Sequence, residues 1–282
     1  MLEAPCVVVK GGGDIASGVV HRLHRARMRV VVTELARPRM IRRPVSFGSA
    51  VYEGEVEVEG VVARVTGEGE AIGALLDRGI VPVIVASKWD PIQRLKPQVV
   101  VDGIMAKRNL GTQVGDAPVV IGVGPGFVAG MDVDAVIETM RGHYLGRVIT
   151  EGSALADTGG PGAIEGHTLD RVLWAPCAGR FRAVARIGDR VRAGDVVAEV
   201  GDEPLRSRID GVVRGMLYAG LAVQEGQKVG DVDPRGEVDH CFTISDKARA
   251  VGGGVLEAIL SLLPQAGEQG SKFQRRRECA SD

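Results

Sequence analysis

Residues Cys6-Val7-Val8-Val9 form a short apolar run, and Lys10-Gly11-Gly12-Gly13-Asp14-Ile15-Ala16-Ser17-Gly18 follows it directly. A strand, a glycine turn and a helix in that order leave few folds open, because a strand that feeds a helix this tightly lays the helix back on its own sheet. Glycine at 11 and 13 lets the chain turn sharply, and small Ala16 and Gly18 let the helix, predicted over 14–26, sit close to the sheet. The helix start presents unpaired N–H groups and the positive end of a dipole, a natural cradle for an anion. Gly11-x-Gly13-x-x-Ala16 therefore reads as a dinucleotide fingerprint, with Gly11, Gly12, Gly13, Asp14, Ile15 and Ala16 as its contacts. A second apolar run over 29–33 stops at Glu34, where an acid that holds a ribose is expected. A tight turn without ligand is the alternative reading of the glycines alone.

Glu34 suits the ribose diol of NAD, whereas Arg37, Arg39, Arg42 and Arg43 directly after it suit the 2′-phosphate of NADP or form a solvated basic loop. S-adenosylmethionine stays open as well, because a sheet of the methyltransferase type also ends its second strand in an acid.

A chain of 282 residues, 45% hydrophobic and 25% charged, buries a sizeable core and divides into one large unit and a small one. Its formal net charge of -1 gives no basic field for nucleic acid or a membrane surface, and neither is expected as a partner. Cys6, Cys177, Cys241 and Cys279 are scattered without a CxxC, as in reduced thiols, and the longest apolar candidate, 118–131, is broken by Pro125 and several glycines. A cytoplasmic protein is expected. Nothing in the sequence decides for or against a homo-oligomer.

Alternating residues over 50–65 predict a hairpin with Glu59-Gly60 at its turn, and a helix over 71–78 precedes apolar runs at 80–85, 98–102 and 118–123. A further helix is predicted from an N-cap at Asp132 to Arg141. The pattern gives an α/β fold with a Rossmann-like, mostly parallel sheet carrying helices on both faces, and ligands in such sheets lie beyond the strand C-terminal ends. Those ends hold Asp14, Glu34, Ser87, Lys88, Asp102, residues 105–109 and the loop Gly124-Pro125-Gly126-Phe127. Asp102 and Lys107 suit an acid and a cation aimed at substrate, or an ordinary ion pair.

Composition shifts to Gly, Ser, Thr and Pro over 150–166, which sets the boundary of a first domain, 1–165, that binds the nucleotide. Beyond it, Ala178 to Val200 aligns without gaps on Asp210 to Val232, with Gly179/Gly211, Arg182/Arg214, Gly188/Gly220, Val191/Val223, Gly194/Gly226, Val197/Val229 and Val200/Val232 identical. Two such halves predict a small all-β barrel-sandwich module over 166–236. Its turn Gly188-Asp189-Arg190-Val191-Arg192-Ala193-Gly194 and strand Arg208-Ile209-Asp210-Gly211-Val212 resemble biotinyl and lipoyl carrier domains. The chain has no lysine between Lys107 and Lys228, so neither biotin nor lipoate is attached. Residues 237–264 read as a strand from Cys241, a polar turn and a helix that pack back on the first domain, with Ser245, Asp246 and Lys247 at a strand end or as a helix cap. Residues 265–282, including Arg275-Arg276-Arg277, read as a disordered tail.

His21 and His24 share a helix face without a carboxylate or cysteine at matching spacing, so no metal is expected, and no GxSxG, Walker loop or HExxH is present. With those motifs in view, Lys10–Gly18, His21-Arg22-Leu23, Thr33-Glu34, Ala50-Val51-Tyr52-Glu53-Gly54, Met105-Ala106-Lys107-Arg108-Asn109, Arg141-Gly142-His143, Leu145-Gly146-Arg147 and Ile244-Ser245-Asp246-Lys247 together resemble the YqeB family. The resemblance runs from about Val7 to Leu263. It implies an accessory or maturation factor for selenium-dependent molybdenum hydroxylases that oxidise purines and xanthine, with the hydroxylase as partner. A nearby resemblance is to the nucleotide-binding domain of the XdhC maturation factors. No catalytic mechanism comes with either, and whether the chain is an enzyme is left open; Asp102, Lys107, Asp246 and Lys247 are the residues placed for catalysis if it is. An NAD(P)-dependent oxidoreductase and a docking protein with a vestigial site are the alternatives.

Overall fold

A computed structural model of the chain describes residues 4–67, 70–85 and 94–264. The first part runs β1 (Cys6–Lys10), α1 (Asp14–Arg25), β2 (Arg29–Glu34), α2 (Ala50–Glu53), β3 (Glu55–Val58), β4 (Val61–Thr66), α3 (Glu70–Asp77), β5 (Val81–Val85), β6 (Val99–Asp102), β7 (Val119–Val123), β8 (Ala135–Ile137) and β9 (Val148–Ile149). These nine strands make one sheet in the order β3-β4-β5-β2-β1-β6-β7-β8-β9. The β3–β4 and β8–β9 pairs at the two edges are antiparallel and the pairs between them parallel. Glu59 and Gly60, both at positive φ, close the β3–β4 hairpin, as the two-residue turn between antiparallel strands requires.

Alternate residues of each central strand enter two different cores, which is why the strands read as unbroken valine runs. Val7, Val9, Val30, Val32, Val99 and Val101 face α1 and the last helix, α4 (Asp246–Leu262), while Val8, Val31, Val100 and Val120 face Ile72 of α3 and the loop residues Phe127, Ala129 and Val133. The two helices on the first face cross at glycines. A Cβ on Gly18 would stand 2.6 Å from that of Ala248, and one on Gly252 would stand 2.7 Å from the Gly18 carbonyl oxygen. Replacing either glycine would push α1 off α4.

Eight short strands follow: β10 (Val172–Trp174), β11 (Gly179–Ala183), β12 (Arg190–Val191), β13 (Val196–Val200), β14 (Glu203–Arg206), β15 (Gly211–Met216), β16 (Ala222–Val223) and β17 (Lys228–Asp233). They form two four-stranded sheets, β10-β17-β15-β12 and β14-β13-β11-β16, around one core that includes Phe181, Val197, Val213, Met216 and Val229. The sequence repeat explains the pairing. β11-β12-β13 and β15-β16-β17 are equivalent triplets, and each gives its short middle strand to the sheet of the other.

The Rossmann-like sheet with a biotinyl/lipoyl-like barrel expected from the sequence is corrected by this topology. The chain has a nine-stranded mixed sheet with an antiparallel pair at either edge, and two separate antiparallel sheets in place of a closed barrel. The connections that follow β6 and β7 contain no helix. Asp132 does not start one, because its carboxylate accepts the Val128 N–H at 2.9 Å and fixes a turn, after which residues 135–137 enter the sheet as β8. The strand expected at Cys241 is likewise absent; Val238–Cys241 form a 3-10 turn before Ser245 caps α4 by accepting the Ala248 N–H. Ser87, Lys88 and the tail 265–282 lie outside the described residues. Among the described residues no helix is long and apolar enough to cross a membrane.

Candidate functional site

β1 ends at the centre of the sheet, and the turn that follows is held from below. The Gly11 N–H donates to the Thr33 carbonyl at 2.8 Å, and the Gly12 N–H to Oε1 of Glu34 at 2.8 Å. The Gly12 carbonyl accepts from Gly48 N–H at 2.9 Å and from the Ser17 hydroxyl at 3.0 Å. A Cβ at 12 would stand 2.6 Å from the Gly48 nitrogen, so that glycine is demanded by the protein's own packing. Gly13 differs. It is the residue before the first turn of α1, has extended backbone, and a Cβ there would meet nothing within 4 Å. Among the described residues the N–H groups of Asp14, Ile15 and Ala16 have no acceptor.

These amides border a cavity of about 570 Å³ walled by Gly11 and residues 13–16, by 33–35 with 38–40, and by 103–105 with Leu110. Most of the wall is apolar, through Ile15, Leu35, Pro38, Met40, Ile104, Met105 and Leu110. Its charged members are Asp14, Glu34 and Arg39. Burial pushes the Glu34 carboxyl above its ordinary range, against the pull of the Gly12 and Leu35 N–H groups that bond its two oxygens. Each oxygen keeps a lone pair for a further donor. Asp14 faces the Arg42 guanidinium at 3.5 Å. Among the described residues the wall's one cation, Arg39, has its terminal nitrogens bonded to neutral groups of the β10–β17 module, so an anion in this cavity would be held chiefly by helix amides and dipole.

The arginines read as a phosphate site are turned elsewhere. Arg39 donates to Gln227 at 3.0 Å and to the Ala222 carbonyl at 2.7 Å, Arg42 to the carbonyls of His240 and Thr243, and Arg43 lies 4.4 Å over the Tyr218 ring. With Met216 N–H bonding the Ile41 carbonyl at 2.7 Å, Arg39 and Arg43 fasten the β10–β17 module to the segment that follows β2, and Arg42 ties that segment to the turn before α4. His21 and His24 likewise each approach a backbone carbonyl, of Glu59 and Gly79.

Asp102 and Lys107 do not meet. Asp102 is buried, and its carboxylate accepts the Thr112 hydroxyl at 2.6 Å and the Ile104 N–H at 3.1 Å. The Thr112 hydroxyl accepts in turn from Lys10 Nζ at 2.9 Å, and Lys10 also pairs with Asp116 at 2.9 Å. This buried chain pins the 104–116 loop, which carries part of the cavity wall, to the ends of β1 and β6. Lys107 is exposed and pairs with Asp157 at 2.6 Å. Arg141 grips Asp246 through two bonds, at 2.7 and 3.1 Å, and holds its carboxyl down to about 2. Lys247 makes no ion pair among the described residues; burial, with Arg141 nearby, lowers its amine, and Asp14, Glu138 and Asp157 lie within electrostatic reach. Lys107, Asp157 and Lys247 thus lie in one charged neighbourhood outside the cavity wall, next to the Arg141–Asp246 pair, whereas Asp102 is buried at the end of β6. Sequence reasoning missed Lys10, Thr33 and Thr112; the signal available was a polar residue closing each valine run, at Lys10, Thr33 and Asp102, in three strands that pair with one another.

No family model matches the chain. It is 50% identical over 259 residues, 92% of its length, to the uncharacterized protein YqeB of Escherichia coli (strain K12), which supports the YqeB resemblance; the chain spans about half, 48%, of that relative. Among solved structures it is similar to the product-bound ectoine utilization protein EutE (DoeB) from Ruegeria pomeroyi, with 12% identity, 81% of this chain and 85% of that one covered, and a TM-score of 0.26. An aspartoacylase family protein from Mesorhizobium loti follows with 12% identity, 82% and 85% coverage and a TM-score of 0.27. A succinylglutamate desuccinylase/aspartoacylase from Rhodobacter sphaeroides has 17% identity, 82% and 86% coverage and a TM-score of 0.26. At these scores the likenesses carry no argument about fold or mechanism.

Proposed function

We propose that the chain is a nucleotide-binding accessory protein serving the maturation of selenium-dependent molybdenum hydroxylases, with the Gly13–Ala16 turn holding the anionic part of the ligand. The observation that carries the binding half is the row of amides without acceptors at the start of α1, opening on a cavity of about 570 Å³ beside a glycine with free space in front of it. The hydroxylase half, with the hydroxylase as partner, is supported by the motifs shared with the YqeB family.

The test is a thermal-shift panel with ADP, NAD, NADP and S-adenosylmethionine, four adenosine compounds that separate phosphate from ribose recognition. A compound at a hundred times its dissociation constant stabilises the fold by about 2.7 kcal/mol. Gly13→Asp places a carboxylate where the anion would sit while supplying a favourable helix cap, so it is expected to abolish the shift and leave the unliganded melting temperature unchanged or higher. If none of the four moves the wild-type transition, the binding half is wrong. For the hydroxylase half, a selenium-dependent molybdenum hydroxylase produced without this chain is expected to lose activity that co-production restores.

A further inference from the structure

Leu35 is 62% exposed and Leu110 48% exposed, and both stand on the wall of the cavity at the start of α1. Single exposed leucines are ordinary on a protein surface, but two on one cavity wall are not scattered. Neither belongs to any of the three apolar cores. Polar contacts of the backbone beside them hold both in place. The Leu35 N–H donates to Oε2 of Glu34 at 2.8 Å. Asn109 braces the turn that carries Leu110: its Oδ1 accepts the Gly111 and Thr112 N–H groups at 2.9 and 2.8 Å, and its Nδ2 donates to the Thr112 carbonyl at 2.7 Å. The sheet order β2-β1-β6 then sets the two leucines on opposite sides of the β1–α1 turn, Leu35 just beyond β2 and Leu110 in the loop beyond β6.

We propose that Leu35 and Leu110 are the two jaws of a clamp for a flat heteroaromatic ring, carried by a ligand whose anionic end lies on the amides of residues 14–16. The wall that the jaws share with Ile15, Ile104 and Met105 is apolar, and a methionine thioether packs favourably against a ring. A saturated chain seated between leucines this exposed would keep an apolar flank in water. A flat ring instead lays its faces on the leucines and turns its polar edge outward, the way amphipathic rings sit where one side is apolar and the other wet. The inference rests on the binding reading above and adds to it the chemical class of the ligand's body and the two residues that select for it.

The experiment measures by calorimetry the affinity of wild type, Leu35→Ser and Leu110→Ser for the same four adenosine compounds and for inorganic pyrophosphate, which offers the anionic end without a ring. The melting temperature of each is taken without ligand. Wild type is expected to bind at least one adenosine compound about a hundredfold more tightly than pyrophosphate, and each substitution to weaken that compound about tenfold while leaving pyrophosphate within about twofold. The melting temperatures are expected to stay together, since leucines this exposed contribute little to the unliganded fold. A substitution at either position that leaves the adenosine compound bound as tightly as before overturns the inference while the cavity reading stands. So does an equal loss for pyrophosphate, or a clearly lower melting temperature, because the leucines would then shape the turn or serve the fold. A wild type that prefers no adenosine compound to pyrophosphate overturns the clamp, and one that binds none of the four overturns both readings.

Discussion

In the β10–β17 module Gly188, Gly194, Gly220 and Gly226 all sit at positive φ, and each N–H is taken by a backbone carbonyl, of Val213, Ser207, Phe181 and Ala175 respectively, at 2.8 to 2.9 Å. In the turn before α1 only Gly11 has a positive φ, Gly12 donates to a carboxylate, and the next amides along the helix start have no acceptor among the described residues. Both stretches are glycine-rich, and both reverse or redirect the chain. What separates a turn that merely closes from one that can receive a ligand is where the amides end, which glycine content by itself does not reveal.

Substitutions can break or sharpen this contrast. The largest effect is expected at Gly211, where a side chain would run into the Asp233 carbonyl of the paired strand. Gly211→Val should cost about 3 kcal/mol, read as a fall in the urea midpoint; a small cost would mean the module's strands are looser than their pairing implies. Gly12→Ala comes next, at about 1 to 3 kcal/mol, because Gly48 backbone occupies the space a methyl group needs. Gly226→Ala meets open space but must hold a positive φ, so the same assay should show a loss of about 1 kcal/mol from strain alone.

A smaller effect is expected from Glu34→Gln, and it is one of slope. Burial raises the folded carboxyl above its ordinary 4.5, so the folded state binds a proton more tightly than the unfolded chain. The stability this contributes is full below about 4.5 and is lost as pH rises through the raised value, a decline that Glu34→Gln should flatten in melts taken from pH 4 to 7. The smallest is Gly13→Asp, expected to change unliganded stability by a few tenths of a kcal/mol at most. If it cost as much as Gly12→Ala, the turn before α1 would be closed throughout and the contrast would fail.

The local pattern carried the β1–α1–β2 unit, the hairpin at Glu59-Gly60 and the 32-residue repeat legibly, because each depends on residues close in sequence or on exact recurrence. The Rossmann-plus-lipoyl assignment did not survive, since the way strands order and orient at the sheet edges is a long-range choice. The helix placed over 132–141 failed for a local reason: Asp132 is a good cap in either setting, and only its bond back to Val128 shows that it fixes a turn. Arg39, Arg42 and Arg43 read as phosphate ligands because nothing in their neighbourhood of sequence names the partners, which lie some 180 residues or more away for Arg39 and Arg42. At the candidate site the glycines and Glu34 were legible as a turn with an acid beneath it, whereas Thr33 and the Lys10–Thr112–Asp102 chain come together only through strand register.

The exchange of β12 and β16 between the two sheets means that neither half of the repeat owns a complete ladder. A peptide cut at residue 208 would leave each fragment without the edge strand of its own sheet and with a surplus strand that belongs to the other, so the two are expected to refold only when mixed. Unfolding should therefore be all-or-none across the module, with amide protons in β11 and β15 exchanging with one common opening free energy.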